Sequence, residues 1–159
     1  MLDQISIFVE NKQGRLAAIM DVLHNAQVDI RAFTIADTTD FGIVRIVAND
    51  TEKALKSLKD GGFTAKVTQI IGFTIEDIPS AMYKVISALQ EAKINIEYSY
   101  SLMGKRANQA DIAIRVDDNE KTEQVLREKG IKLISTSDIV WPQNGNLPIK
   151  WGLPSRTPC

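Results

Sequence analysis

Two short turns carry the residue types in this sequence best suited to chemistry: Asn11-Lys12-Gln13-Gly14 and Asp77-Ile78-Pro79-Ser80. Each stands between an apolar run and a stretch with helical spacing. Each therefore brings unpaired backbone N–H groups and the positive end of a helix dipole to one point, which suits a carboxylate. Gly14 lets the backbone approach a ligand with no Cβ in the way. Asn11 can cap the helix or turn its amide toward the ligand. Asp77, Pro79 and Ser80 hold the equivalent places in the second turn, with Pro79 pre-setting φ for a helix start. The same residues also make good helix starts with no further task, and their types and spacing leave both readings open.

Nothing else in the chain points to catalysis. There is no Walker loop, dinucleotide glycine fingerprint, nucleophile elbow or helical His-Glu-x-x-His. One histidine, His24, and one cysteine, Cys159, leave no intrachain disulfide, multi-His metal site or cysteine cage. His24 borders the apolar stripe of the first helix and reads as a surface residue. Glu52, Asp60, Glu120, Glu123 and Glu128 are spread along helices and turns, as solvated faces are. The expectation is a protein that is not an enzyme and uses no cofactor or metal.

Composition narrows the partners. Among 159 residues, 19 Lys and Arg face 20 Asp and Glu, a net charge of −1, with 44% apolar and 25% charged residues. That is the make-up of a globular protein without a basic field, so neither nucleic acid nor an acidic membrane is an expected partner. Asp3 interrupts any signal-like start, and runs such as Ile70-Ile71-Gly72-Phe73 are too short to span a bilayer, so a cytoplasmic protein is expected. Asn49-Asp50-Thr51 fits a glycosylation sequon but reads as a chance match.

The turns must be positioned by the elements around them, and these occur twice. Ile5 to Val9 reads as a strand, followed by a helix with Leu16, Ile19, Met20 and Leu23 on one face. Ile70 to Ile75 reads as a strand again, followed by a helix with Met82, Val85, Ile86 and Leu89, offset by 66 positions. Ala26-Gln27-Val28-Asp29-Ile30-Arg31 then matches Ala92-Lys93-Ile94-Asn95-Ile96-Glu97 at the same offset. Each half continues with a second strand (28–36, 94–102), a third (42–48, 110–116), a second helix and a fourth strand. The second helices end at Gly62 and Gly130, suited to left-handed C-caps. The offset there is 68, so two extra residues fall between Gly104 and Gln109.

This is β-α-β-β-α-β twice, an α+β fold of two ferredoxin-like units, each an antiparallel four-stranded sheet with both helices on one face. The expected divisions are 1–69, 70–141 and a Pro-rich irregular tail at 142–159. The tail reads either as unstructured or as an arm docking through Trp141 or Trp151. Strict alternation puts Phe33 and Ile35 on the face away from Ile30 and Ala32, and Phe8 away from Ile7. The helix-free face is therefore partly apolar, and a second sheet from this chain or another copy is expected to cover some of it.

The repeated pattern, with Asn11-Lys12-Gln13-Gly14-Arg15-Leu16-Ala17 and Lys93-Ile94-Asn95-Ile96 as its specific parts, resembles the ACT domain in tandem over about residues 3 to 138. ACT domains are regulatory ferredoxin-like modules that bind amino acids and related effectors, often for enzymes of amino-acid metabolism. The resemblance implies a ligand site between units, where the strand-to-helix turn of one faces the second strand of the other. Carried over, it implies Asn11, Gln13, Gly14, Arg15 and Leu16 from the first half, and Asp77, Pro79, Ser80, Ala81 and Met82 from the second. Asp29 and Ile30, and Asn95, Ile96 and Glu97, would lie opposite. Backbone N–H groups of the turns would take the α-carboxylate and Asp29, Asn95 or strand carbonyls the α-ammonium, with Tyr98 or Tyr100 beside the effector side chain. The usual turn has Pro then Gly. Here Gln13 stands for the Pro and Ser80 for the Gly, so the two sites are not expected to be alike.

The units are expected to pair side by side in one extended sheet and the chain to form a homodimer. Its regulatory output would pass to a partner, such as an amino-acid biosynthetic enzyme. The alternative is an assembly subunit that pairs with a metabolic enzyme and binds no ligand. An RNA-binding module of the same element order would need aromatics on its third strands, which read Ile43 to Val47 and Asp111 to Arg115 without one.

Overall fold

The computed structural model describes residues 1–37, 40–103 and 107–139. The tail 142–159, with Trp141 and Trp151, lies outside them. The first repeat consists of β1 (Leu2–Glu10), α1 (Arg15–Asn25), β2 (Ile30–Asp37), β3 (Phe41–Ala48) and α2 (Thr51–Asp60). A long strand, β4 (Thr64–Glu76), leads into α3 (Ala81–Glu91), β5 (Ile96–Ser101), β6 (Gln109–Val116), α4 (Asn119–Glu128), the short β7 (Lys132–Ile134) and α5 (Thr136–Ile139). Among the described residues no helix is long and apolar enough to cross a membrane.

The expected extended sheet is present. Seven strands join in the order β2-β3-β1-β4-β6-β5, with β7 also on β4. The junction is β4 itself, which is the fourth strand of the first repeat and the first strand of the second. Its residues Thr64 to Ile70 pair antiparallel with β1, and Ile71 to Glu76 with β6. It runs unbroken through positions 69 and 70, where the repeats meet.

Each repeat has its own core under its helices. In the first, Ile5 and Ile7 of β1 pack with Ile19 and Leu23 of α1 and Leu58 of α2. In the second, Ile71 and Phe73 pack with Val85 and Leu89 of α3 and Leu126 of α4. Full burial of such side chains contributes roughly 1.5 to 3 kcal/mol each. A third cluster belongs to neither helix layer: Leu2, Ala32, Val47 and Ile70 meet Leu102, Ala113 and Ile134. The sheet thus curls until the helix-free faces of the two repeats cover each other, so the covering sheet comes from the same chain.

The strand faces correct one expectation. A β-bulge separates Ile30 from Ala32 on β2, and another separates Ile96 from Tyr98 on β5. Each extra residue, Arg31 or Glu97, reverses which way the rest of its strand faces. Ala32 therefore sits on the helix-free face opposite Val47, while Phe33 and Ile35 pair with Ile46 and Val44 on the helix side. Phe33 and Ile35 stay exposed there, because β2 is an edge strand beyond the helices. In the second repeat the same device turns Tyr98 and Tyr100 toward the seam.

Candidate functional site

The two sequence-marked turns differ in backbone. Gly14 is the N-cap of α1 in the left-handed region, φ 84°, and a Cβ placed on it would meet nothing within 4 Å. Ser80, the N-cap of α3, has φ −95° and makes no side-chain cap. By contrast, Asp50 and Asp118 cap α2 and α4, each accepting from the N–H three residues on at 3.0 Å. The uncapped helix starts are the two that the sequence marked.

Around the first turn, Asn11 N–H donates to the Asp40 carbonyl at 2.9 Å and Lys12 N–H to Glu10 at 2.8 Å. Asn11, Gln13, Gly14 and Leu16 are exposed. Arg15 lays its guanidinium 5.1 Å from the centre of the Phe63 ring, a cation–π contact. Lys12 pairs with Glu10 at 2.9 Å. That hydrogen bond and charge, with a lesser pull from Arg15, hold the exposed Glu10 carboxyl below its ordinary range.

Around the second turn, Asp77 N–H donates to Asn108 at 3.0 Å and Ile78 N–H to Glu76 at 2.9 Å. Asp77, Pro79 and Ser80 are exposed, Ala81 is half-buried, and Met82 packs against the second core.

The facing strands are only partly where the resemblance implies. Met103 N–H donates to the Arg31 carbonyl at 2.8 Å, so the start of β2 and the second turn attach to the same β5–β6 connection. Asp77, Pro79 and Ser80 thus come to the same end of the molecule as Asp29 and Ile30. The reciprocal pair is separated. Arg115 reaches both Glu97, at 3.7 Å, and the Gln69 carbonyl, at 3.0 Å, and Gln69 pairs with Asp3 near the start of β1. Asn11 lies past the far end of β1, roughly 25 Å from there at about 3.3 Å per residue. Within one chain, Asn95, Ile96 and Glu97 do not face the first turn.

Asp29, implied to take the α-ammonium, already has a partner, and so does Glu97. Asp29 meets Arg31 at 3.3 Å, as Glu97 meets Arg115. The carboxylates of both pairs reach solvent, whereas the Arg31 side chain is only 14% exposed. Asp29 N–H donates to Asn49, and Asn95 N–H to Asp117, the same side-chain clamp in both repeats. Ile30 and Ile96 pack against the first and second cores respectively.

The seam is filled by a polar network that sequence reasoning missed. Gln4, fully buried, donates from Nε2 to Tyr98 Oη at 2.8 Å and to Ser6 Oγ at 3.1 Å. Tyr100 Oη donates to Gln4 Oε1 at 2.8 Å, and Arg45 lies 4.1 Å from the Tyr98 ring centre. Burial pushes the Tyr100 hydroxyl far above its ordinary range, helped by Tyr98, so it stays a neutral donor. Tyr98 and Tyr100 are thus fasteners of the seam, not walls for an effector side chain.

Open space lies elsewhere. A cavity of about 660 Å³ runs between α3 and the C-terminal end of α4, with Ile75, Ile78, Ala81 and Ile131 among its walls. A smaller depression of about 360 Å³ on the other flank of α3 includes Asn95 and Ile96. Ala81 is the one sequence-implied residue in the first and has no companion there from the facing strands. Among the described residues no cluster of three or more His, Cys, Asp or Glu could hold a metal.

No curated protein matches the sequence. Protein BT0572 from Bacteroides thetaiotaomicron has a similar crystal structure, 37% identical with TM-score 0.82, covering 87% of this chain and 95% of that one. The ligand-free regulatory subunit of aspartate kinase from Thermus thermophilus is 16% identical with TM-score 0.61, over 81% of this chain and 91% of that one. A structure of aspartokinase alpha and beta subunits is 15% identical with TM-score 0.55, over 79% and 90%. The last two likenesses are of fold. The sequence profile described as "ACT domain pair" matches residues 1–141. Two ferredoxin-like repeats fused through one strand, matched by that profile over all the described residues, place the chain in the ACT domain pair family.

Proposed function

We propose that this ACT pair is a non-catalytic regulatory protein that binds an amino-acid effector and passes the signal to a separate metabolic enzyme. The observation that carries the reading is the contrast between helix starts: α2 and α4 are closed by aspartates, whereas α1 and α3 begin without a side-chain cap at the turns implied to hold a carboxylate. The regulatory subunit of aspartate kinase, similar in fold, supports a regulatory rather than catalytic task. The effector site with most support is the second turn, Asp77 to Met82, beside Asp29 and Ile30. For the first turn, Asn95 to Glu97 would have to come from a second copy. Homodimerisation through the open edge of β2, with Phe33 and Ile35 exposed along it, would leave the internal seam intact.

Titration calorimetry with the twenty amino acids tests this reading, and thermal melts provide the check. An effector at 100 times its dissociation constant adds about 2.7 kcal/mol to stability. Silence in both at millimolar concentration refutes effector binding. That result would favour the second reading, an assembly subunit without a ligand, to which the filled seam and the arginine-paired Asp29 and Glu97 lend support.

A further inference from the structure

The repeats differ informatively at the residues that line the cavity between α3 and α4. In the first, Arg15 bridges from the start of α1 to Phe63, with Glu10 nearby and Lys12 paired to that glutamate. The equivalents in the second are Ala81 for Arg15, Ile131 for Phe63, Ile78 for Lys12 and Glu76 for Glu10. Both cations are gone and the carboxylate remains. Ala81, Ile78, Ile131 and Glu76 all line the cavity of about 660 Å³ between α3 and α4.

Open space thus borders the positions where the second repeat lacks the first repeat's two basic side chains and keeps the acid. Among the described residues, Glu76 has no ion-pair partner, and neither do Lys84, Glu91 or Lys129, which also border the cavity. We propose that this cavity binds a free amino acid with a cationic side chain, arginine being the reference. Glu76 takes the cationic end as Glu10 takes Lys12 in the first repeat, and the methylene stem lies along Ile131. Glu91, at the end of α3, and Lys129, the C-cap of α4, supply opposite charges for the α-ammonium and α-carboxylate. This site shares Ile78 and Ala81 with the second turn proposed above for an effector, but uses Glu76, Glu91 and Lys129 where that site uses Asp29 and Ile30.

The test is calorimetry on the full chain with L-arginine, L-lysine and L-citrulline, the last matching arginine in shape without its charge. Arginine or lysine is expected to bind at micromolar to millimolar concentration, and citrulline at least tenfold more weakly. Glu76→Gln, at an exposed position, is expected to weaken arginine binding at least tenfold. Ala81→Arg installs the first repeat's own side chain and is expected to abolish binding without lowering the melting temperature. If that variant folds poorly, methyl chemical-shift changes at Ala81 and Ile131 on titrating the wild type replace it.

No binding of arginine or lysine at about 10 mM overturns the proposal. Full binding to Ala81→Arg, or shifts confined to the surroundings of Asp29 and Ile30, overturns it while leaving an effector site between the second turn and β2 standing.

Discussion

Gly72 lies on β4 at the point where the two sheets press together. A Cβ built there would stand 3.0 Å from Leu2 Cγ and 3.2 Å from Ile134 Cβ, with Leu2 Cδ1 closer still. Carbon atoms rest at about 3.5 to 4.0 Å, so Gly72→Ala forces Leu2 to move. Leu2 is fully buried in the seam cluster with Val47, Ile70 and Ala113 and has no open side to turn into. Over-packing of this kind costs about 1 to 3 kcal/mol, which for a chain of this size lowers Tm by roughly 2 to 12 °C. Denaturant unfolding monitored by circular dichroism measures it. The diagnostic step is the cycle with Leu2→Ala. That change alone costs about 2 to 5 kcal/mol, but it makes the room a methyl at position 72 needs, so the double variant should be more stable than the sum by 1 kcal/mol or more. A Gly72→Ala protein within 0.5 kcal/mol of wild type, or strict additivity, would refute the packing described at the seam.

Three other outcomes follow from the same coordinates. Asp118→Ala should destabilise by about 1 kcal/mol by uncapping α4, whereas Ser80→Ala, whose hydroxyl caps nothing, should fall within 0.5 kcal/mol in the same melts. Gln4→Leu should cost about 1 to 3 kcal/mol, because Tyr98 and Tyr100 lose their shared buried partner; an unchanged urea midpoint would contradict the network. The depressed Glu10 carboxyl contributes stability at pH above its unfolded value and loses it as pH falls through the lower folded one. Lys12→Ala should raise the Glu10 midpoint in a carboxyl-carbon NMR titration, and an unmoved midpoint would break the assignment.

Much of the architecture was legible because helix faces repeat faithfully. Leu16, Ile19 and Leu23 against Met82, Val85 and Leu89 announced two copies of one unit, and all but Leu16 sit in or against a core. Strand faces were not legible, since a single extra residue, Arg31 or Glu97, inverts an alternation that sequence alone extends unbroken. Gln4 and Ser6 alternate with Ile5 and Ile7 along β1 and carry no sequence mark of burial. Only the curl of the sheet, which brings Tyr98 over them, makes them interior. At the site, the turns could be read from Asn11 to Gly14 and from Asp77 to Ser80, but which strand each turn faces depends on how the repeats are joined. The cavity between α3 and α4 had a signal that a search for likeness passes over: it lies where the repeats disagree, at Arg15 and Ala81, and at Phe63 and Ile131.

A strand that belongs to two sheets has only one twist. Repeats tied by a loose linker could swing apart on a hinge. Here any such swing would have to tear β4 from β1 on one side or from β6 on the other. What remains available is torsion: winding β4 under the first pair of helices re-aims it under the second, as turning one end of an axle turns the other. A change of twist imposed on β4 at one end would therefore reach its other end.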